Sequence, residues 1–335
     1  MQPKVSVIVP VYNAGSHLYR CLETLTHQTL NELEIILVLD CPTDGSERVA
    51  EEYAQQYANI KLVYNPENLH IGESRNRGLE AATGEYIGFA DNDDYQELRM
   101  FEDMYKAAKQ KDADVVLVDS MDIRPPQENV IQLKEPDQLN IVEGKEFLQN
   151  CFFALLSGNY TLRVGMVHSH IFRREFLERF RIKFYDTKQI IGEDLLFNVQ
   201  IYGNLYQGGG KFIYLPQAYY YYVIHPESLS HKAGYFRLDT TGKLFEKIGE
   251  YLEQSGLIQE SSIADLFAGR MISSIYSAWS RETLEQGPLY ALRKLGKIRG
   301  SQVIRRGIKR YNKVYNPALP LKKNICGVFL RLLCI

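Results

Sequence analysis

The chain has 335 residues, 45% of them hydrophobic and 24% charged, with a formal net charge of −2. Those are the proportions of an ordinary soluble globular protein with enough chain for one large domain and a smaller extension, and they exclude a disordered chain. Five scattered cysteines without a C-x-x-C pair argue against a disulfide framework or a zinc site and for reduced thiols in a cytoplasmic compartment. No stretch of 18 uninterrupted apolar residues predicts a membrane span, and the N-terminus runs straight into a strand pattern with no signal peptide. The charge is unevenly placed. Residues 291–335 hold twelve Lys or Arg and no acidic residue, whereas residues 1–290 hold 27 basic against 41 acidic ones.

In chain order, "KVSVIVPVY" (4–12), "ELEIILVLD" (32–40), "NIKLVYN" (59–65), "EYIGFAD" (85–91) and "DADVVLVDS" (112–120) are short runs, apolar almost throughout. They predict strands covered on both faces. Between them, Leu18, Cys21, Leu22 and Leu25, then Val49, Ala50, Tyr53 and Tyr57, then Leu79 and Ala82, then Met100, Met104 and Ala107 recur at helical spacing. Alternation of this kind predicts a mostly parallel α/β sheet flanked by helices. Residues 123–138, with three prolines, predict a loop or irregular hairpin. "IIGEDLLFNVQIYG" (190–203) predicts a helix behind an acidic first turn, and 211–231 predicts two strands around Pro216. From about Tyr235 onward the spacing is helical.

Ligands of open parallel sheets sit beyond the carboxyl ends of the strands. The polar clusters "PVYNAG", "DCPTDGS", "NPENLHIGESRNRG" and "DNDD" all fall there. Three carboxylates, Asp91, Asp93 and Asp94, within four residues at a strand end are costly unless a cation shares the site, and a hard divalent metal is the usual one. The alternative is a solvated acidic turn, with Asp93 or Asp94 capping the next helix.

These motifs, in this order and at these intervals, resemble the family 2 glycosyltransferases, inverting enzymes with the GT-A fold. The likeness covers residues 4 to about 120 and resumes at "GEDLLFN" and "YYYYVIHPESLS". It implies a Rossmann-like nucleotide-diphospho-sugar transferase fold over residues 1–232, with a nucleotide-sugar half (1–120) and an acceptor half (121–232), followed by a helical C-terminal region (233–335). It further implies that Pro10, Val11, Tyr12 and Asn13 wall the nucleotide base and that Asp40 accepts the imide N–H of uracil. Arg75 would then face the base or diphosphate, Asp91 and Asn92 the ribose side, and Asp93 would hold Mg2+ or Mn2+. Asp194, with Glu193 second, would be the catalytic base, and His225 would touch the metal or diphosphate.

Local readings compete with each role. Tyr12 could cover the sheet end, Asp40 cap the helix near Asp44–Ser46, Arg75 lie on the surface, Asp194 and Glu193 complement a helix dipole, and His225 sit unliganded in a turn. The chain also departs from the family pattern. Leu39-Asp40-Cys41-Pro42 stands where two adjacent aspartates and Gly-Ser are common, and Val223 stands where an arginine often precedes the histidine.

The expectation is a metal-dependent transfer from a UDP-sugar to a hydroxyl of a glycan or lipid-linked acceptor, in polysaccharide synthesis. A non-catalytic sugar-nucleotide binder on a degenerate scaffold is the alternative. A dinucleotide oxidoreductase is disfavoured because no G-x-G-x-x-G turn follows the first strand. The basic amphipathic tail 291–335 predicts contact with an anionic membrane surface, at the cytoplasmic face; packing on the body is its rival. Nucleic acid is not expected, since no nucleic-acid fold signature accompanies the charge.

Overall fold

The computed structural model describes residues 2–124, 138–160, 162–224, 237–298 and 300–313. The expected loop at 123–138 lies mostly outside them, as do His225 and the tail beyond residue 313.

The five predicted strands are present: β1 Val5–Val11, β2 Leu33–Leu39, β3 Ile60–Tyr64, β4 Tyr86–Phe89 and, after the short β5 Tyr95–Gln96, β6 Val115–Ile123. So are the helices between them: α1 His17–Thr26, α2 Ser46–Gln56, α3 His70–Ala81 and α4 Met100–Lys111. The second half adds β7 Val142–Glu143, α5 Lys145–Ser157, β8 His170–Arg173, α6 Arg174–Arg179, α7 Glu193–Tyr206 and β9 Phe212–Val223. Helices α8 Leu238–Gln254, α9 Ser261–Gln286, α10 Pro288–Ile298 and α11 Gln302–Lys313 follow.

One sheet unites both halves in the order β3-β2-β1-β4-β8-β6-β9-β5, with β7 on β9. β1 to β4 pair in parallel, β8 enters antiparallel between β4 and β6, and β9 runs parallel to β6. Alternate side chains explain the apolar runs. Val5, Val7, Val9 and Val11 of β1 join the core with α1, α2 and α4, while Ile8 joins the opposite core with α5, α7 and the C-terminal helices.

One expectation is corrected. Residues 212–223 form one strand and not two, because the ladder with β6 steps from Val118 opposite Leu215 to Asp119 opposite Ala218. Pro216 and Gln217 are bulged out, exposed, at the point where a missing proline N–H costs no ladder bond. As for the tail, its described part packs on the body: Ile304 and Ile308 are buried, Arg306 pairs with Glu253 and Arg310 with Asp265. No helix among the described residues is long and apolar enough to cross a membrane.

Glycine sets how closely α3 approaches the sheet. A Cβ on Gly78 would lie 2.3 Å from Ile8 Cγ2, and Ile8 is a stiff β-branched side chain in the core. Gly78→Ala is therefore expected to cost about 1–3 kcal/mol, read as a lowered urea midpoint. An unchanged midpoint would show that α3 can back away from the sheet.

Candidate active site

A cleft of about 1620 Å³ opens at the carboxyl ends of β1, β2 and β4. Tyr12, 48% exposed, lines it, as do Pro10, Asn13, Asp40, Arg75, Asp91, Asn92, Asp93, Glu193 and Asp194. Val11 does not: its side chain is fully buried in the sheet core, and its backbone carbonyl accepts the N–H of Asp40 at 2.9 Å. The expectation that the Val11 side chain walls a ligand is corrected accordingly, by the alternation of β1.

The loops at this end are tied to one another. Asn13, at φ 47°, accepts the Thr43 N–H on Oδ1 at 2.8 Å, and asparagine tolerates that left-handed backbone. Asn92 Nδ2 donates to the Pro10 carbonyl at 2.9 Å. At the start of α2 the Ser46 N–H donates to Asp44 Oδ1 at 3.0 Å. Asp40 instead accepts the Leu69 and His70 N–H groups at 2.7 and 2.9 Å, at the start of α3, and Asn65 Nδ2 at 2.7 Å. A carboxylate has about four acceptor positions, which leaves one for a ligand. Leu39 is buried in the core, so the residue that departs from the family pattern faces away from the cleft.

Arg75 is the centre of the arrangement, and it is not a surface arginine. It lies in the second turn of α3, 2% exposed. Nη2 donates to Asp91 Oδ1 at 2.9 Å, and Nη1 to Glu193 Oε1 at 3.0 Å and Asp194 Oδ1 at 2.5 Å. The guanidinium carbon sits 5.2 Å from the Phe184 ring centroid. Gly192, at φ 92°, turns the chain so that Glu193 and Asp194 open α7 facing this cation.

One guanidinium among three carboxylates leaves an excess of negative charge, and the environments divide it. Burial raises the Asp91 carboxyl, but His168 and Arg75 outweigh it and hold Asp91 well below the usual carboxylate range. Burial dominates at Asp194: with Glu193 and Asp91 adding repulsion, it overcomes Arg75 and pushes the carboxyl up to about 7. Two carboxyls of one site set apart in this way are what acid and base assignments require.

His168 was not anticipated. It is buried, stacked on Tyr220 with ring centroids 4.0 Å apart, and its Nδ1 stands 3.6 Å from Asp91 Oδ2. Nε2 has no partner among the described residues, although His168 lines the cleft. A lone histidine in "GMVHSH" carries no pattern that sequence reading could use.

Donor atoms of Asp91, Asp94 and His168 lie within 4.8 Å of one another, and two carboxylates with an imidazole suit Mn2+ better than Mg2+. Asp94, however, is fully buried and already accepts the Tyr220 hydroxyl at 2.9 Å and the Val223 N–H at 2.7 Å. Burial first, then Asp93 and Asp91, raise its carboxyl well above the usual range. Of that group Asp91 and His168 line the cleft, and Asp93 lines it too; carboxylate and imidazole donors fit a divalent cation.

Removing the hub charge should expose its role. Asp91 is held low, so its share of stability is present above the ordinary carboxylate range and is lost as pH falls through that range and below it. In Arg75→Met the buried Glu193 and the half-buried Asp91 and Asp194 lose their cation, an expected cost of about 3–5 kcal/mol near pH 8. The deficit against the parent protein should narrow toward pH 5, as those carboxyls take up protons. Equal deficits at pH 5 and 8 in chemical denaturation would show that Arg75 acts by packing alone.

Residues 6–181 match the family model "Glycosyl transferase family 2". The chain is 33% identical over 237 residues to an uncharacterized glycosyltransferase, EpsJ, of Bacillus subtilis, covering 69% of this chain and 64% of that protein. It is 31% identical over 205 residues to a cholesterol galactosyltransferase of Borreliella burgdorferi, 59% of this chain and 55% of the relative. The matched stretch thus spans under two thirds of these relatives' own length. Among solved structures, TarS of S. aureus (residues 1–349, with UDP-GlcNAc) superposes with a TM-score of 0.70 at 22% identity, over 99% of this chain and 90% of that one. At that identity the likeness speaks for the fold.

Proposed function

The chain belongs to glycosyl transferase family 2, and from that premise we propose that it moves a sugar from a nucleoside-diphosphate donor, UDP-linked, to a hydroxyl with inversion at the anomeric carbon. The observation that carries the reading is Asp194, which lines the cleft in the first turn of α7 with its carboxyl pushed up to about 7. Single-step inversion needs a base on the face of the sugar opposite the leaving group, and a base works best when its pKa lies near the working pH.

In this reading Tyr12 stacks on the base, Asp40 offers its remaining acceptor position to the uracil imide, and Asp91, kept ionised by Arg75 and His168, meets the ribose. Asp93 and His168 hold the metal with Asp91 beside them, in place of the His225 expected from the sequence, which lies outside the described residues. Mg2+ or Mn2+, when bound, supplies charge neutralisation for the departing diphosphate. Arg75 orients Asp194 and keeps part of its negative charge in place, so that its protonation is poised and not permanent. Glu193, 6% exposed and bonded to Arg75, supports that orientation.

The acceptor we take to be a glycan or lipid-linked hydroxyl. Relatives are named for such different molecules as cholesterol and poly(ribitol-phosphate). Peripheral contact with an anionic membrane is supported by the basic composition of residues 291–335.

Two outcomes test the reading. The kcat/KM for UDP-sugar turnover should rise with pH through an apparent pKa near 7, since the ionised form is the base, and Asp194→Asn should lose about 10²–10⁴-fold with UDP affinity retained. A flat profile between pH 5.5 and 8.5 would remove Asp194 from the role. Independently, chelation of divalent cations should stop UDP release and added Mn2+ restore it, while Asp93→Ala should need far more Mn2+ to recover. Full turnover under strong chelation would end the metal-dependent reading.

A further inference from the structure

The cleft does not end at the carboxylates. Arg270, Ser273, Ser274, Ser277 and Arg281 of α9 line it as well. Their spacing of three, one, three and four residues sets them along a single face of the helix, and Arg281 lies about 16 Å along the axis from Arg270.

The charges lining the cleft are sorted by position. Asp40, Asp91, Asp93, Glu193 and Asp194 come from strand ends and the first turn of α7, whereas α9 contributes two guanidiniums, three hydroxyls and no carboxylate. Arg270 is fixed in place: it donates to the Leu155 carbonyl and, at 2.5 Å, to the Tyr160 hydroxyl. Arg281 is exposed and forms no hydrogen bond or ion pair with any described residue, Glu285 one turn away included. It is a guanidinium facing the reaction cleft with its donors unspent.

A neutral sugar acceptor has no use for such a pole. A molecule with a free hydroxyl at one end and a phosphate at the other would be oriented by it: the carboxylate end repels the phosphate, the α9 end attracts it, and the hydroxyl arrives first at Asp194. We propose that the face of α9 from Arg270 to Arg281 is the acceptor subsite, and that it takes a phosphate-bearing acceptor, with Arg281 on the phosphate and the serine row on neighbouring hydroxyls. The proposal rests on the transferase reading. Arg is suited to the task because its planar fork pairs bidentately with phosphate oxygens.

The test compares two probes with the same sugar: octyl glucoside, and octyl glucosyl phosphate, in which a phosphodiester joins sugar and chain. Both are titrated calorimetrically into the full chain in the presence of UDP and Mn2+ at about 0.15 M salt, where surface attraction is screened. The phosphodiester is expected to bind roughly tenfold tighter or more. Arg281→Gln should erase the difference while leaving the affinity for UDP as it was, and Arg281→Lys should keep part of it. Equal binding of the two probes, or binding of neither, overturns the proposal. So does an equal loss of UDP affinity in Arg281→Gln, which would place this arginine on the donor diphosphate. UDP release from the donor, measured on the same protein, judges the transferase reading separately, so the two failures are told apart.

Discussion

Everything at this site depends on one buried cation that cannot satisfy all of its neighbours. Arg75, itself buried, meets Asp91, Glu193 and Asp194 at hydrogen-bond distance. A buried ion pair is tolerated when geometry and further hydrogen bonds offset desolvation, but three carboxylates around one guanidinium exceed that balance. The excess is resolved by difference of environment. Asp91 has His168 3.6 Å away as a second partner and stays ionised, while at Asp194 burial with Glu193 and Asp91 outweighs Arg75 and the more weakly felt His168, and it is poised to exchange a proton. A carboxyl that titrates near neutrality thus arises from a structural shortage of positive charge, and Asp91 and His168 beside it are donors of the kind a divalent cation takes.

The fold exists to bring those groups together. They come from α3, the end of β4, the stretch before β8 and the start of α7, separated by up to 119 residues. β8 makes this possible: inserted antiparallel between β4 and β6, it welds the second half of the chain onto the first and carries His168 up to the end of β4. Gly78 lets α3 lie close on β1, and Gly192 starts α7 at the angle that aims two carboxylates inward.

The first half of this was legible in the sequence because its elements are locally determined. Strands buried on both faces and amphipathic helices announce themselves within ten residues, as Val5–Val11 and His17–Thr26 do. What is set by distant partners was not legible. β8 is four residues long and owes its existence to two neighbouring strands, and the bulge at Pro216 follows from the register of β6, where local reasoning saw a strand break. Arg75 reads in sequence as a helical surface or ligand-facing residue; its burial depends on carboxylates over a hundred residues away. The residues of α10 and α11 show the same limit, since an apolar stripe beside lysines and arginines suits lipid and protein equally, and α8 and α9 supplied the protein partner. The serine and arginine face of α9 likewise owes its place to the cleft it lines, which no local pattern announces.

The central claim is that Asp194 exchanges its proton near neutrality because burial and two neighbouring carboxylates outweigh Arg75. Difference infrared spectroscopy of the protonated carboxyl band, comparing the parent chain with Asp194→Asn across pH 4 to 9, tests it directly. The account predicts a band lost in the variant that persists at pH 6 and titrates away with a midpoint near 7. A band that has vanished by pH 5 in the parent protein would contradict it.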